Sequence, residues 1–129
     1  MNVLNLEKSI NWYKDLFGFT VVEEGLYQGR PWSIIKKDST MLCLYQTAKG
    51  QSPVSAADMT GRVQINHIGL RIDNYESWLD KIKNLKIKTY YDSPVKWPHS
   101  TSWYVRDPSG YEIEVAYWRE GEPKFGLSQ

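Results

Sequence analysis

The chain carries the same pattern twice. "NLEKSINWYKDLFGFTVV" from Asn5 and "NYESWLDKIKNLKIKTYY" from Asn74 align at an offset of 69, which sets Glu7 on Glu76 and Leu16 on Leu85. Such a repeat constrains the fold more than composition does, because both copies must form the same supersecondary unit. Each copy opens on an asparagine, whose side chain can accept from the unpaired amides of a first helical turn. Apolar residues then recur at helical spacing. They are Ile10, Tyr13 and Phe17 in the first copy, and Trp78, Leu79, Ile82 and Leu85 in the second. Gly18 is placed to end the first helix.

Three strand-like runs follow each helix: residues 19–26, 32–37 and 41–46, then 87–91, 101–106 and 111–118. "YQGRP", "KKDST" and "RDPSG" mark turns. One further strand precedes each helix, at 2–4 and at 64–72. The sequence therefore predicts an α+β fold of two βαβββ modules, helices outside, with a concave sheet and a central cavity. The expected organisation is a single domain over 1–129: a first module at 2–46, a small-residue linker at 47–62, a second module at 63–118 and a tail at 119–129.

Composition removes several function classes. A net charge of +1 with both signs interspersed gives no basic stripe, so nucleic acid is not expected as a partner. No apolar run approaches a membrane span, and no stretch has a signal peptide's pattern. The one cysteine, Cys43, allows no internal disulfide, so a reducing cytoplasm is expected. Six Trp, nine Tyr and three Phe exceed what a core of this size needs, and suit a pocket for an aromatic or apolar small molecule.

Alternation along two strands singles out a pair. In "INHIGLRI", Ile68, Leu70 and Ile72 form an apolar face, while His67, Gly69 and Arg71 form the other. In "YEIEVAYW", Tyr111, Ile113, Val115 and Tyr117 oppose Glu112, Glu114, Ala116 and Trp118. His67 and Glu114 thus face away from the helix-packing side, where they could ligate a divalent metal; an ordinary hydrogen-bonded histidine and a solvated glutamate fit the pattern as well.

Taken together, "NLEKSINWYKDLFGF", "NHIGLRI" and "DPSGYEIEV" resemble the vicinal oxygen chelate superfamily, also called the glyoxalase/bleomycin resistance/dioxygenase family. The resemblance covers about residues 2–118. It implies paired βαβββ modules around a metal-binding cavity, and a metal (Fe, Mn, Ni or Zn) that activates dioxygen or a substrate with two adjacent oxygens. It makes His67 and Glu114 metal ligands, and matches Tyr104 to a tyrosine near the metal in the extradiol dioxygenase branch. Two departures accompany it. The first-module counterpart of His67 falls ahead of Met1. Cys43 stands opposite Glu114 under the repeat, where the glyoxalase I branch has a glutamate ligand, and is expected as a small buried residue. The resemblance equally admits a metal-free protein, similar to the bleomycin-resistance members, that binds an aromatic drug or metabolite. A homodimer accords with either reading.

His99, on a loop leading into a strand, is a candidate general base beside Tyr104. Arg71 could hold an anionic group of a substrate. Trp32, Trp103 and Trp118 are candidate pocket walls. No glycine-rich phosphate loop and no hydrolase triad spacing occurs.

Overall fold

A computed structural model of the chain describes residues 1–55, 61 and 63–126; parts of the expected linker and tail lie outside them. The elements are β1 (Asn2–Val3), α1 (Leu6–Phe17), β2 (Thr20–Tyr27), β3 (Arg30–Lys37), β4 (Thr40–Gln46), β5 (Ile68–Arg71), α2 (Tyr75–Asn84), β6 (Tyr90–Lys96), β7 (Ser100–Arg106) and β8 (Glu112–Trp118). Two four-stranded mixed sheets result, ordered β1-β4-β3-β2 and β5-β8-β7-β6. The βαβββ pattern is therefore present twice. The chain forms two compact units. One holds β1 to β4, α1 and the turn Asp107–Tyr111; the other holds β5 to β8 and α2.

The helix signals act as the repeat suggests. Asn5 Oδ1 accepts from the Lys8 amide and Asn74 Oδ1 from the Ser77 amide, each at 2.9 Å. The helices stop differently. Gly18 takes the left-handed conformation at φ 79° and its amide bonds to Lys14 O. The second helix has no glycine there, so Lys86 takes the left-handed position at φ 51° and Ile87 N bonds back to Ile82 O at 3.0 Å. That extended helix end consumes the start of the strand expected at 87–91, and β6 begins only at Tyr90. β6 also carries Pro94, which cannot donate to a ladder; its place at the sheet edge accommodates this. A second difference is at the strand expected over 64–72, which is regular only over Ile68–Arg71.

In the first unit, α1 buries Leu6, Tyr13, Leu16 and Phe17, and the sheet contributes Ile35 and Leu44 to the same core. A buried polar centre stitches the turn Asp107–Tyr111 into this unit. Tyr13 Oη donates to Asp107 Oδ2 at 2.9 Å, while Asp107 Oδ1 accepts from the amides of Ser109 and Tyr111. Ser109 Oγ accepts from Leu4 N at 3.0 Å, and Tyr111 Oη donates to Asn2 O at 2.8 Å. Gly110 sits at φ 87° with its α-carbon against Val54, and an added Cβ would fall on the Val54 carbonyl oxygen. In the second unit, Trp78 of α2 packs edge-to-face on Trp103 of β7, and Val105, Ile113 and Val115 of the same unit are buried. Among the described residues no helix is long and apolar enough to cross a membrane.

Burial, followed by the neighbouring Asp107 carboxylate, pushes the Tyr13 phenol well above its ordinary value. A raised folded-state value gives stability that is complete below the unfolded tyrosine value near pH ~10 and is lost as pH rises beyond it. Tyr13→Phe leaves a buried carboxylate oxygen without its donor, and should cost about 1–3 kcal/mol in urea unfolding at pH 7. The same variant should lose stability less steeply than wild type between pH 9 and 11.

Candidate functional site

The site belongs to the second unit and begins with a ladder. β5 runs parallel to β8 with Gly69 opposite Glu114 and Arg71 opposite Ala116. Ile113 and Val115 are fully buried, so alternation turns Glu112, Glu114, Ala116 and Trp118 to the opposite sheet face. His67 lies one residue before β5 and shares the parity of Gly69 and Arg71. Its Nε2 comes 3.0 Å from Glu114 Oε2. Glu114 Oε1 accepts from Ser102 Oγ at 2.7 Å, which fixes the carboxylate from the neighbouring strand. Tyr104, directly across the ladder from Glu114, sets its ring edge-on to His67 at 6.2 Å. Burial, then the Glu114 charge, raises the Tyr104 phenol above its ordinary value, so it stays protonated at neutral pH.

The other side of the imidazole is also built. His67 Nδ1 lies 2.7 Å from Asn66 Oδ1 and 3.9 Å from Glu112 Oε2. Glu112 is a carboxylate only 6% exposed. The Tyr91 hydroxyl donates to its Oε1, and Arg106 Nη2 stands 4.0 Å from the same oxygen. Tyr91 and Asp92 occupy the left-handed region at φ 59° and 53°, which for non-glycine residues costs about 1–2 kcal/mol each. The hydrogen bond to Glu112 is the main reason the Tyr91 phenol is raised above its ordinary value.

Both ring nitrogens of His67 therefore face oxygen acceptors. A neutral imidazole carries one N–H, which Nδ1 can give to Asn66 Oδ1 or Nε2 to Glu114 Oε2, according to the tautomer. Nε2 donates to Glu114 Oε2 at 3.0 Å when it carries the proton; when it does not, the nitrogen and the carboxylate oxygen form a pair of donors able to hold a metal cation. One nitrogen and one oxygen donor suit borderline divalent ions such as Fe, Mn, Ni and Zn. Glu112 does not extend this pair to three, because it approaches the opposite ring nitrogen. Among the described residues no group of three His, Cys, Asp or Glu side chains is gathered as a metal site.

A cavity of about 570 Å³ opens beside Glu114, lined also by Gly69, Arg71, Trp97, His99, Trp118 and Phe125. The sequence candidates His99, Arg71 and Trp118 thus share it. Trp103 does not: at 1% exposure it is core, held between Trp78 and Tyr75, and is no pocket wall. Trp32 lies on β3 of the first unit, stacked on Tyr45 at 5.9 Å. Cys43 is exposed rather than buried, because its position on β4 alternates with buried Leu44. Sequence reading missed Glu112, Tyr91, Asn66 and Ser102. Glu112 had a visible signal, sharing the parity of Glu114; the other three come close only through turn and ladder geometry.

A sequence model of the Glyoxalase/Bleomycin resistance protein/Dioxygenase superfamily matches residues 1–115. A "Probable trivalent organoarsenical cleaving enzyme" of Bacillus subtilis (strain 168) is 28% identical over 122 residues, spanning 91% of this chain and 75% of that protein. A glyoxylase/bleomycin resistance protein/dioxygenase domain from Frankia sp. EAN1pec superposes with a TM-score of 0.73 at 13% identity, covering 94% of this chain and 89% of the other. Lactoylglutathione lyase from Agrobacterium tumefaciens gives a TM-score of 0.62 at 24% identity, with 91% and 88% covered. At these identities the structural likeness is one of fold.

Glu112→Gln keeps the side chain's shape and removes its charge. The Tyr91 phenol should then titrate at lower pH than in wild type. NMR of tyrosines labelled with 13C at Cζ, with Tyr91→Phe to assign the signal, reads this directly; an unmoved Tyr91 signal would contradict the described contact.

Proposed function

Because the chain belongs to the Glyoxalase/Bleomycin resistance protein/Dioxygenase superfamily, we propose that it is a metal-dependent enzyme acting on a small molecule, with His67 and Glu114 as the protein ligands of a divalent ion. The observation that carries this reading is the His67 Nε2 to Glu114 Oε2 approach at 3.0 Å, which brings a nitrogen and an oxygen donor to one point of the sheet face. When bound, such an ion supplies Lewis-acid polarisation of a substrate oxygen. The protein's own residues do the remainder. Ser102 holds Glu114 in place and Asn66 Oδ1 lies 2.7 Å from Nδ1 of the imidazole, the kind of outer support that orients a ligand set. Glu112, buried and tied to Tyr91 and Arg106, backs the same ring. Tyr104 holds its proton beside Glu114 and can donate a hydrogen bond to a bound oxygen. His99 lines the cavity as a group able to exchange a proton with its occupant.

The Bacillus subtilis relative is named as a probable trivalent organoarsenical cleaving enzyme. Trivalent arsenic is soft and favours thiolate partners, whereas this sequence has one cysteine, Cys43, on an exposed strand of the first unit. That mismatch favours an oxygen-bearing substrate. A second reading, a metal-free protein that binds an aromatic molecule, is favoured by one observation: the described residues gather two metal donors rather than three.

Metal analysis after supplying Fe, Mn, Ni and Zn separates the two. The enzyme reading expects about one ion per chain in wild type, and an affinity lower by about 10–100-fold or more in His67→Ala and Glu114→Ala. Background metal in wild type with all four ions supplied would leave the binding-protein reading standing and the enzyme reading refuted.

A further inference from the structure

The cations around the second-unit cavity are spent on the chain itself. Arg71 Nε lies 2.9 Å from Asp73 Oδ1, Nη1 lies 3.9 Å from Glu122 Oε2, and the guanidinium donates to the Gly121 carbonyl. Lys124 Nζ sits 3.3 Å from Glu120 Oε2, and His99 Nδ1 lies 3.9 Å from Glu120 Oε1. An anion entering the cavity would meet arginine and lysine already matched by carboxylates, and beside them the Glu114 carboxylate itself. Arg71 is thus a clamp for residues 119–126 rather than an anchor for a substrate's charge. Arg119 works similarly from the other end, donating to the carbonyls of Trp97, Pro98 and Ser100.

What those clamps hold in place is aromatic. Trp118 donates its indole N–H to Lys124 O at 3.2 Å and meets the Phe125 ring edge-to-face at 5.7 Å. Trp97 and Phe125 remain exposed, Phe125 by 81%. Large rings fixed at a cavity rim and left in water gain most from a flat apolar partner, through burial and ring packing. The volume of about 570 Å³ is that of a site for a drug-sized molecule.

We propose that this cavity receives an uncharged, flat aromatic molecule carrying a hydroxyl, its ring held by Trp97, Trp118 and Phe125 and its hydroxyl turned to Glu114. Residues 119–126 then act as the wall that selects the ring. The orientation of the hydroxyl rests on the reading of His67 and Glu114 as the working end; the preference for a neutral ring does not.

Two probes that share a ring system test it: 1-naphthol, neutral at pH 7, and 1-naphthoate, an anion. Calorimetric titration of the full chain is done with EDTA present, so that no bound metal contributes. Naphthol should bind about tenfold or more tighter than naphthoate, since the anion's charge would be left unpaired. Trp118→Leu and Phe125→Ala should each weaken naphthol by about fivefold to tenfold, the scale of one lost ring contact. Phe125 is exposed enough that its removal leaves the fold intact. Naphthoate binding as well as naphthol, or Phe125→Ala binding naphthol like wild type, would overturn the proposal. Failure of metal uptake with the naphthol preference intact sinks only the enzyme reading, and the reverse result sinks only this one.

Discussion

Parallel pairing of β5 with β8 is the constraint from which the site follows. It brings His67 and Glu114 together across 47 positions of sequence, and it does so by register: Gly69 opposite Glu114. A slip of one residue would send Glu114 into the core and Ile113 to the polar face. Fully buried Ile113 and Val115 make that slip expensive, so the hydrophobic core of the second unit holds the polar pair in place. The same alternation brings Glu112, Ala116 and Trp118 to the site's face, joining the carboxylates to the aromatic cavity on one strand.

The two halves of the repeat share a scaffold and differ in chemistry. Asn2 pairs with Tyr45 where Arg71 pairs with Ala116, so the ladders equate Cys43 with Glu114. One strand further, Ile34 faces Cys43 where Tyr104 faces Glu114, and Trp32 faces Tyr45 where Ser102 faces Ala116. The polar set of the second sheet thus has an apolar and aromatic counterpart in the first. The asparagine N-caps are the same in both halves, since an uncapped first turn lowers stability directly. Face positions away from the core are free to diverge.

This difference also explains what could be read from the sequence. The repeat, the Asn5 and Asn74 caps and the Gly18 stop are local signals with one dominant cause each, and the fold followed from them. His67 and Glu114 were legible because parity alone assigns a strand residue to a face. The shortened β5, the late start of β6 and the core position of Trp103 were not. Each depends on tertiary context: where a helix ends without glycine, and which side of β7 meets α2. Tyr91 was the hardest to foresee, since its hydroxyl reaches Glu112 from a left-handed pair of residues that no propensity favours.

Charge balance links these pieces. Two carboxylates, Glu112 and Glu114, flank one imidazole, and Glu112 is nearly excluded from water. Arg106 Nη2 offsets Glu112 from 4.0 Å, with the Tyr91 hydroxyl as a neutral donor on the same oxygen. Ser102 gives Glu114 a hydrogen bond but no charge. Apart from His67, this group sets two carboxylates against one guanidinium in a partly desolvated setting, where unpaired charge is costly. The aromatic cavity beside it adds no free positive charge, since Arg71 and Lys124 are matched by Asp73, Glu122 and Glu120. Positive charge near the two carboxylates therefore comes from Arg106 on the neighbouring strand and not from the cavity's Arg71 and Lys124.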